Sequence, residues 1–432
     1  MTIVDEAPAT GSVTENTEEA GGWLLLATIC LAPLVAFLLA VALSPFFPVV
    51  AAELGTTVAL LGQVTAVSML GAAALGLLVG PLADHYGHRR LLLLGLLAVV
   101  VSALGTALAP TFALLLLAAL AGAVSRAIVQ PVSLAVAGER FRGAARRRAI
   151  SWAVAATAGA AIVGTPAMTS IGAAFGWRAA FVVLGMAALT VAALALRALP
   201  LDAAPARRVP RLGAVRSASG SPRLGDVLAA YAPLLHHSPT LGLVGSSLLR
   251  SAAAWGWFTY YGAYLVEHHH LSLQRAGLAY TGVGLGFFAG SLVANGPIRH
   301  VPPRPLLVAI STLLGLLIAG ATLLPVGALV EVAAISASAM MMGLGNVVAT
   351  MLLTTESPAG RATTMTLHQS AFSVGSAAGS AVGGLLLALS GYHAIAVSVP
   401  VFCCAAALLV WLSRPRALVA VPAPVAPPAA GG

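Results

Sequence analysis

Twelve stretches of about twenty apolar residues follow one another along the 432 residues, separated by short connectors. They lie at roughly 22–45, 58–80, 91–109, 111–137, 149–172, 178–198, 239–266, 276–297, 305–324, 326–353, 363–389 and 392–413. An α-helix rises about 1.5 Å per residue, so each run is long enough to cross about 30 Å of hydrocarbon. A barrel strand would be about ten residues long and would alternate in polarity. The chain is 8% charged, against about 25% in soluble domains. Gly and Ala are abundant inside the runs, and small residues let helices approach closely where apolar burial supplies no drive. The expected fold is an all-α membrane protein of twelve transmembrane helices.

The net charge is +9 and lysine is absent. A basic balance can indicate nucleic acid, but here position decides. Of the 22 arginines, 18 lie in connectors or ends on one side; Arg178 and Arg275 lie on the other, and Arg126 and Arg250 lie inside runs. The positive-inside rule puts the arginine-rich side, and with it both termini, in the cytoplasm. The even number of runs agrees. A multi-pass protein of the cell membrane, with the lipid bilayer as partner and no nucleic acid, is expected. The acidic start (Asp5, Glu6, Glu15, Glu18, Glu19) lacks the positive charge of a signal peptide and reads as an unstructured leader over 1–20. Cys30, Cys403 and Cys404 fall inside runs and read as small buried residues. His268-His269-His270 looks like a metal tract but sits in an outer connector without further ligands, and reads as loop. No metal and no cofactor is expected.

A connector over 199–238, rich in Pro, Arg, Ser and Gly, divides the chain into six-run halves at 21–198 and 239–413; a Pro/Ala-rich cytoplasmic tail occupies 414–432. The halves look like copies. Gly80-Pro81-Leu82 returns as Gly296-Pro297-Ile298 after 216 residues, and Phe175-Gly176-Trp177 returns as Ser390-Gly391-Tyr392 after 215. Parallel six-helix repeats with the solute bound between them near the midplane are a known transporter plan.

The segment Gly80–Arg90 reads G-P-L-A-D-H-Y-G-H-R-R. It resembles the G-x-L-x-D-R-x-G-R-R signature of the major facilitator superfamily, with His85 and His88 in place of two arginines. Over about residues 20–413 the chain resembles the twelve-span drug:proton antiporter branch. Gly159, Gly164 and Pro166, followed by Gly176-Trp177-Arg178-Ala179-Ala180-Phe181, resemble the span-5 pattern, with Thr165 between Gly and Pro. Arg126 and Gln130 resemble R-x-x-Q-G of span 4, one residue further apart and with Pro131 in place of Gly. The resemblance implies two pseudo-symmetric halves that rock, a monomer, and a small-molecule substrate exchanged for protons. It further implies a gating loop of Gly80, Asp84, Gly87, Arg89 and Arg90. There, Asp84 would latch onto the arginines and the start of span 11 near Thr363 and Thr364. Gly159, Gly164 and Pro166 would bend span 5 against the glycine face of span 8 (Gly282, Gly284, Gly286, Gly290) and control conformation.

In that plan spans 1, 4, 7 and 10 line the central cavity, which places Arg126 and Arg250 on lining helices. An intramembrane cation usually faces a cavity or a partner. No Asp or Glu lies mid-membrane; Glu53, Glu267 and Glu331 lie near outer ends, Glu331 deepest. The two arginines either pair with carbonyls and Glu331, or meet an anionic group of the substrate, since guanidinium forks suit carboxylate and phosphate. Gln130, Asn346, His368 and Gln369 are further polar candidates, for substrate or for interhelix bonds. Trp255, Trp257, Tyr260, Tyr261 and Tyr264 crowd the outer half of span 7 and read as an interfacial belt. Neither a P-loop nor a nucleophile elbow is present, so no ATP drive and no enzyme is expected. Three readings remain: a proton-coupled exporter of a small organic molecule, with Glu331 or His368 carrying the proton; an importer or exchanger of an anionic metabolite held by the arginines; or a receptor that keeps the fold without transporting.

Overall fold

The computed structural model describes residues 12–199, 234, 237–358 and 361–413; the side chains of 12–21, 80, 81, 84, 295, 297, 299, 361 and 362 lie outside that description. All regular structure among the described residues is helical. Among the described residues thirteen α-helices follow one another: α1 (Ser12–Val41), α2 (Phe47–Glu53), α3 (Val58–Tyr86), α4 (His88–Leu108), α5 (Phe112–Arg140), α6 (Gly143–Gly159), α7 (Thr165–Phe175), α8 (Trp177–Ala198), α9 (Ser238–Glu267), α10 (Leu273–Asn295), α11 (Pro303–Leu323), α12 (Ala328–Glu356) and α13 (Arg361–Leu412). A 3₁₀ turn, Ser44–Phe46, joins α1 to α2, and a π-helix, Ala160–Gly164, joins α6 to α7.

Among the described residues, ten spans are long and apolar enough to cross a membrane. The last of them, Thr363–Leu412, has 50 residues and would run about 75 Å if straight, over twice the hydrocarbon thickness. Gly391 breaks it, with φ 74°, where two runs meet in the sequence. Helix α9 is not among the ten; it carries Ser246, Ser247, Arg250, Ser251 and Thr259, all buried.

Local sequence sets the ends. Thr57, Thr111 and Ser272 each precede a run, and each side-chain oxygen accepts from a backbone N–H three residues on, capping α3, α5 and α10. The 80–90 segment is not the charged connector its composition suggests. It stays helical to Tyr86, and the turn is Gly87 alone, with φ 85°. Gly80-Pro81 therefore lies inside α3, whereas Gly296 follows α10 and Pro297 opens a 3₁₀ turn, so that repeat pair differs in conformation. The other pair agrees: Gly176 (φ 87°) and Gly391 (φ 74°) both reverse the chain before a helix. Helix α1 reaches back to Ser12, so residues 12–20 are helical where an unstructured leader was expected. Residues 1–11, most of the 199–238 connector and the tail from 414 lie outside the described residues.

Helices α1 and α3 to α8 pack on one another, as do α9 to α13. The two groups meet where α3 touches α13, where α7 and the π-helix touch α10, and where the Ser44–Phe46 turn touches α9. At the last contact the Gly262 N–H donates to Ser44 Oγ at 3.1 Å; a Cβ on Gly262 would lie 2.5 Å from the Pro45 nitrogen. The aromatics of span 7 are not an interfacial belt. Trp257, Tyr260 and Tyr261 are fully buried and Tyr264 is 2% exposed, because α9 is enclosed by protein on all sides at its outer end. Among the cysteines Cys403 is buried, Cys30 is half-buried, and Cys404 is exposed, against expectation, since it lies on an outward face of α13.

Candidate functional site

A cavity of about 2040 Å³ lies between the two helix groups. Helical periodicity builds its walls. On α5, Arg126 and Gln130 are one turn apart on one face; on α12, Ala339, Met342, Asn346 and Thr350 share another; on α13, Met365, His368, Gln369, Phe372 and Ser373 share a third. Phe37, Met69 and Trp255 supply apolar surface. The cavity opens at the arginine-rich ends, where His85 to Arg90, Glu139, Arg140 and Arg146 line the mouth. At the other end it stops at Ser44, Thr259 and Tyr280. Beyond that roof, Tyr260 Oη donates to Ser380 O at 2.8 Å and to Ala59 O at 3.3 Å, tying α9 to α13 and α3.

Five of the seven predicted pathway residues line this space: Arg126, Gln130, Asn346, His368 and Gln369. Arg126 donates from Nε to Ser68 Oγ at 3.1 Å, and its guanidinium lies 5.9 Å from the Trp255 ring. His368 is 8% exposed, and its Nδ1 has no partner among the described residues. Arg250 is one wall away. It is 6% exposed, donates to Ser246 and Ser247 Oγ at 3.2 Å each, and faces a small adjoining pocket whose Met342, Asn346 and Phe372 also line the main cavity. Glu331 is not in the cavity at all. It is 1% exposed at the closed end, where His269 Nε2 lies 2.5 Å from Oε2 and Tyr264 Oη donates to it at 3.3 Å. So the histidine tract does have a partner. His270, with φ 51°, turns the loop and sends His269 inward. His268 stacks on Tyr264 at 4.8 Å; burial and the imidazoles of His269, His393 and His270 hold it below the usual histidine range.

Of the gating-loop residues, Arg89 donates to Leu196 O at 3.0 Å and, with Arg90 and Gly87, lines the mouth. Asp84 lies on α3, and its side chain, with the latch assigned to it, falls outside the described residues. In span 5, Gly159 and Gly164 face Leu34 and Leu38 of α1 rather than span 8. Of the span-8 glycines, Gly284 faces Ile162 and Ala158, while Gly282, Gly286 and Gly290 face Ser336 and Met340 of α12. Pro166 cannot donate to the carbonyl four residues back, that of Ile162. Thr281 Oγ1 of α10 donates to that carbonyl instead, at 2.9 Å.

Sequence reasoning missed two sets of ties. Trp177 Nε1 donates to Glu53 at 2.6 Å, and Arg178 pairs with the same carboxylate; Tyr392 Oη donates to Glu267 at 2.7 Å. Arg304 donates to both oxygens of Glu356, at 3.0 and 2.5 Å, and to Val410 O at 3.1 Å. The offset of 215 that relates Gly176 to Gly391 could have found most of them. It carries Trp177 onto Tyr392 and Arg89 onto Arg304, and an offset of 214 carries Glu53 onto Glu267 and Leu196 onto Val410.

The family model of the Major Facilitator Superfamily matches residues 29–361 and 248–430. The chain is 25% identical over 255 residues to an uncharacterized MFS-type transporter, YceJ, of Bacillus subtilis, covering 59% of this chain and 61% of that one, less than two thirds of its length. It is 28% identical over 301 residues to the transcription regulatory protein OpdE of Pseudomonas aeruginosa (68% and 69% covered). It is 29% identical over 288 residues to a chloramphenicol resistance protein of Streptomyces lividans (64% and 70% covered).

Proposed function

The chain belongs to the major facilitator superfamily of transporters, and on that premise we propose that it exports a small organic molecule across the cell membrane by alternating access, in exchange for protons. The supporting observation is the cavity: large, lined from both helix groups, open at the arginine-rich ends and closed at the other by buried aromatics. With the arginine-rich side in the cytoplasm, this is the state that loads solute from inside. Counting α9 and both arms of α13 as crossings gives twelve spans, with both termini inside. Residues 21–198 and 239–413 are taken as the two rocking halves of a monomer, and the 80–90 segment, with Asp84, as the hinge at the open end. Gly159, Gly164 and Pro166 control conformation through the π-helix beside them.

Apolar walls, neutral amides at Gln130, Asn346 and Gln369, and Arg126 as the guanidinium away from the mouth suit a neutral amphipathic solute with hydrogen-bonding groups. The name of the Streptomyces relative makes chloramphenicol the first compound to try. The test is efflux of labelled chloramphenicol from cells expressing the protein, with and without a protonophore. Loss of efflux on collapse of the proton gradient is expected; efflux that ignores the gradient would end the coupling claim.

A second reading takes an organic anion as solute. Among the described lining residues, Arg89, Arg90, Arg126, Arg140 and Arg146 face Glu139 alone as a carboxylate. Organic anions that bind wild type and Arg126→Ala alike would remove it. Flux of either solute in purified proteoliposomes separates transport from the regulatory role that the name of the Pseudomonas relative carries.

A further inference from the structure

Glu331 is a carboxylate inside a membrane span, 1% exposed, about eight residues and therefore about 12 Å along α12 from Ala339, where the cavity wall begins. An intramembrane acid of this kind is costly and marks function by default. The groups facing it are few. From α9 come Tyr264, which donates to Oε2, and Tyr261; from the loop comes His269, with His268 beside it. From α10 comes Tyr280, whose ring is 5.7 Å from Tyr261, and from α13 come Tyr392, whose ring is 5.0 Å from Tyr264, and His393 near His268. Glu267 takes the Tyr392 hydroxyl. No arginine among the described residues pairs with Glu331.

The Glu331–His269 pair thus has no other charge to balance it. Holding one proton between them, the two groups are neutral overall; holding none, they leave a lone negative charge in a low-dielectric site, which is strongly disfavoured. While the outer side is closed, the pair should keep one proton. Two atoms point to where a second proton can go. Glu331 Oε1 and Tyr261 Oη are both buried without a hydrogen-bond partner among the described residues, so they do not bond each other, and a proton passing between them needs water to bridge the two. Tyr261 leads to Tyr280, and Tyr280 lines the roof of the cavity.

We propose that Glu331 and His269 form the proton site of this transporter, outside the solute cavity and connected to its roof through Tyr261 and Tyr280. This rests on the transporter reading above. With the outer side open, water reaches the pair through the histidine loop and delivers a second proton. With that side closed, the pair gives up one of its two protons, which passes by way of water beside the Tyr261 and Tyr280 hydroxyls to the cavity, and keeps the other. One proton enters and one leaves. Solute and proton then occupy different sites, and coupling comes from the outer closure, which both the tyrosines and the pair help to build.

The decisive measurement needs no solute: infrared titration of the full chain in lipid bilayers. Wild type should show a protonated-carboxyl stretch that changes with pH and is missing in Glu331→Gln. His269→Gln should move the pH at which that band changes. Identical titrations in wild type and Glu331→Gln overturn the proposal. Should Glu331→Gln not fold, an unmoved band in His269→Gln overturns it equally. A second arm uses proteoliposomes and labelled chloramphenicol, comparing accumulation driven by a pH gradient with counterflow, which needs no proton. The ratio of driven accumulation to counterflow should collapse in Glu331→Gln and fall in Tyr261→Phe; a wild-type ratio in Glu331→Gln sinks the site. Wild type without counterflow would instead defeat the chloramphenicol reading and leave the infrared titration to decide the proton site.

Discussion

The two helix groups fasten themselves in the same way and differ in what they place between themselves. In each, the end of the first span holds the start of the sixth: Glu53 takes Trp177, and Glu267 takes Tyr392. In each, an arginine at the start of the third span caps a carbonyl near the end of the sixth: Arg89 on Leu196, Arg304 on Val410. Ties at both ends of spans inside a group stiffen it as a body. The contacts between groups are of another kind, a few hydrogen bonds and close backbone approaches near the closed end. The polar interior is not copied. One group contributes Arg126 and Gln130 to the cavity; the other contributes Asn346, His368 and Gln369, and buries Arg250 behind the wall and Glu331 above the roof. Duplication explains the frame, and divergence at the interior explains how one frame can serve a particular solute.

The comparison breaks most easily at the seam. Gly262→Leu would drive a side chain into Pro45 and Ser44 backbone, and overpacking against backbone is expected to cost about 3 kcal/mol. Its thermal midpoint in detergent should fall furthest of the variants named here, with new water access at the closed end. A wild-type midpoint would show that the groups do not press together there.

The inner ties should be unequal. Arg304→Ala strands Glu356, itself 21% exposed, and should cost about 2 kcal/mol after allowance for partial solvation. Arg89→Ala loses one carbonyl bond, worth about 1 kcal/mol. Equal losses in thermal stability would mean that the shared carbonyl, not the Glu356 pair, carries the tie. Thr281→Val uncovers the carbonyl that Pro166 leaves free and should cost about 1 kcal/mol, read as a bias toward the state with the closed end open. Labelling of a reporter cysteine at that end would report the bias.

The smallest effect concerns pH. His268 sits below the usual histidine range, so its neutral form is the one the fold favours. That contribution is complete above the ordinary histidine pKa and is lost as pH falls, since the unfolded chain then binds the proton more readily. His268→Gln should flatten the acid limb of the stability profile slightly; an unaltered limb assigns that sensitivity elsewhere.

Run length and polarity were enough to mark the helices, because spanning a bilayer demands a fixed length of apolar residues whatever surrounds them. The 80–90 segment misled for a related reason. Charges there suggested a connector, yet a helix can carry charges once it has left the hydrocarbon, so α3 continues to Tyr86. The span-7 aromatics misled too: composition gives the depth of a ring in the bilayer but not whether it faces lipid or protein. The cavity residues on α5, α12 and α13 were legible as polar breaks in apolar runs, whereas their grouping was not.

What the sequence decided alone is a set of membrane-crossing helices, most of their boundaries, and the side that carries the arginines, since each follows from local composition against a slab of fixed thickness. Which polar groups meet was left to tertiary packing. His269 and Glu331 are 62 positions apart, and Thr281 and Ile162 are 119 apart. Only the rotation and crossing of packed helices sets such pairs in register, and no local pattern of residues encodes that rotation.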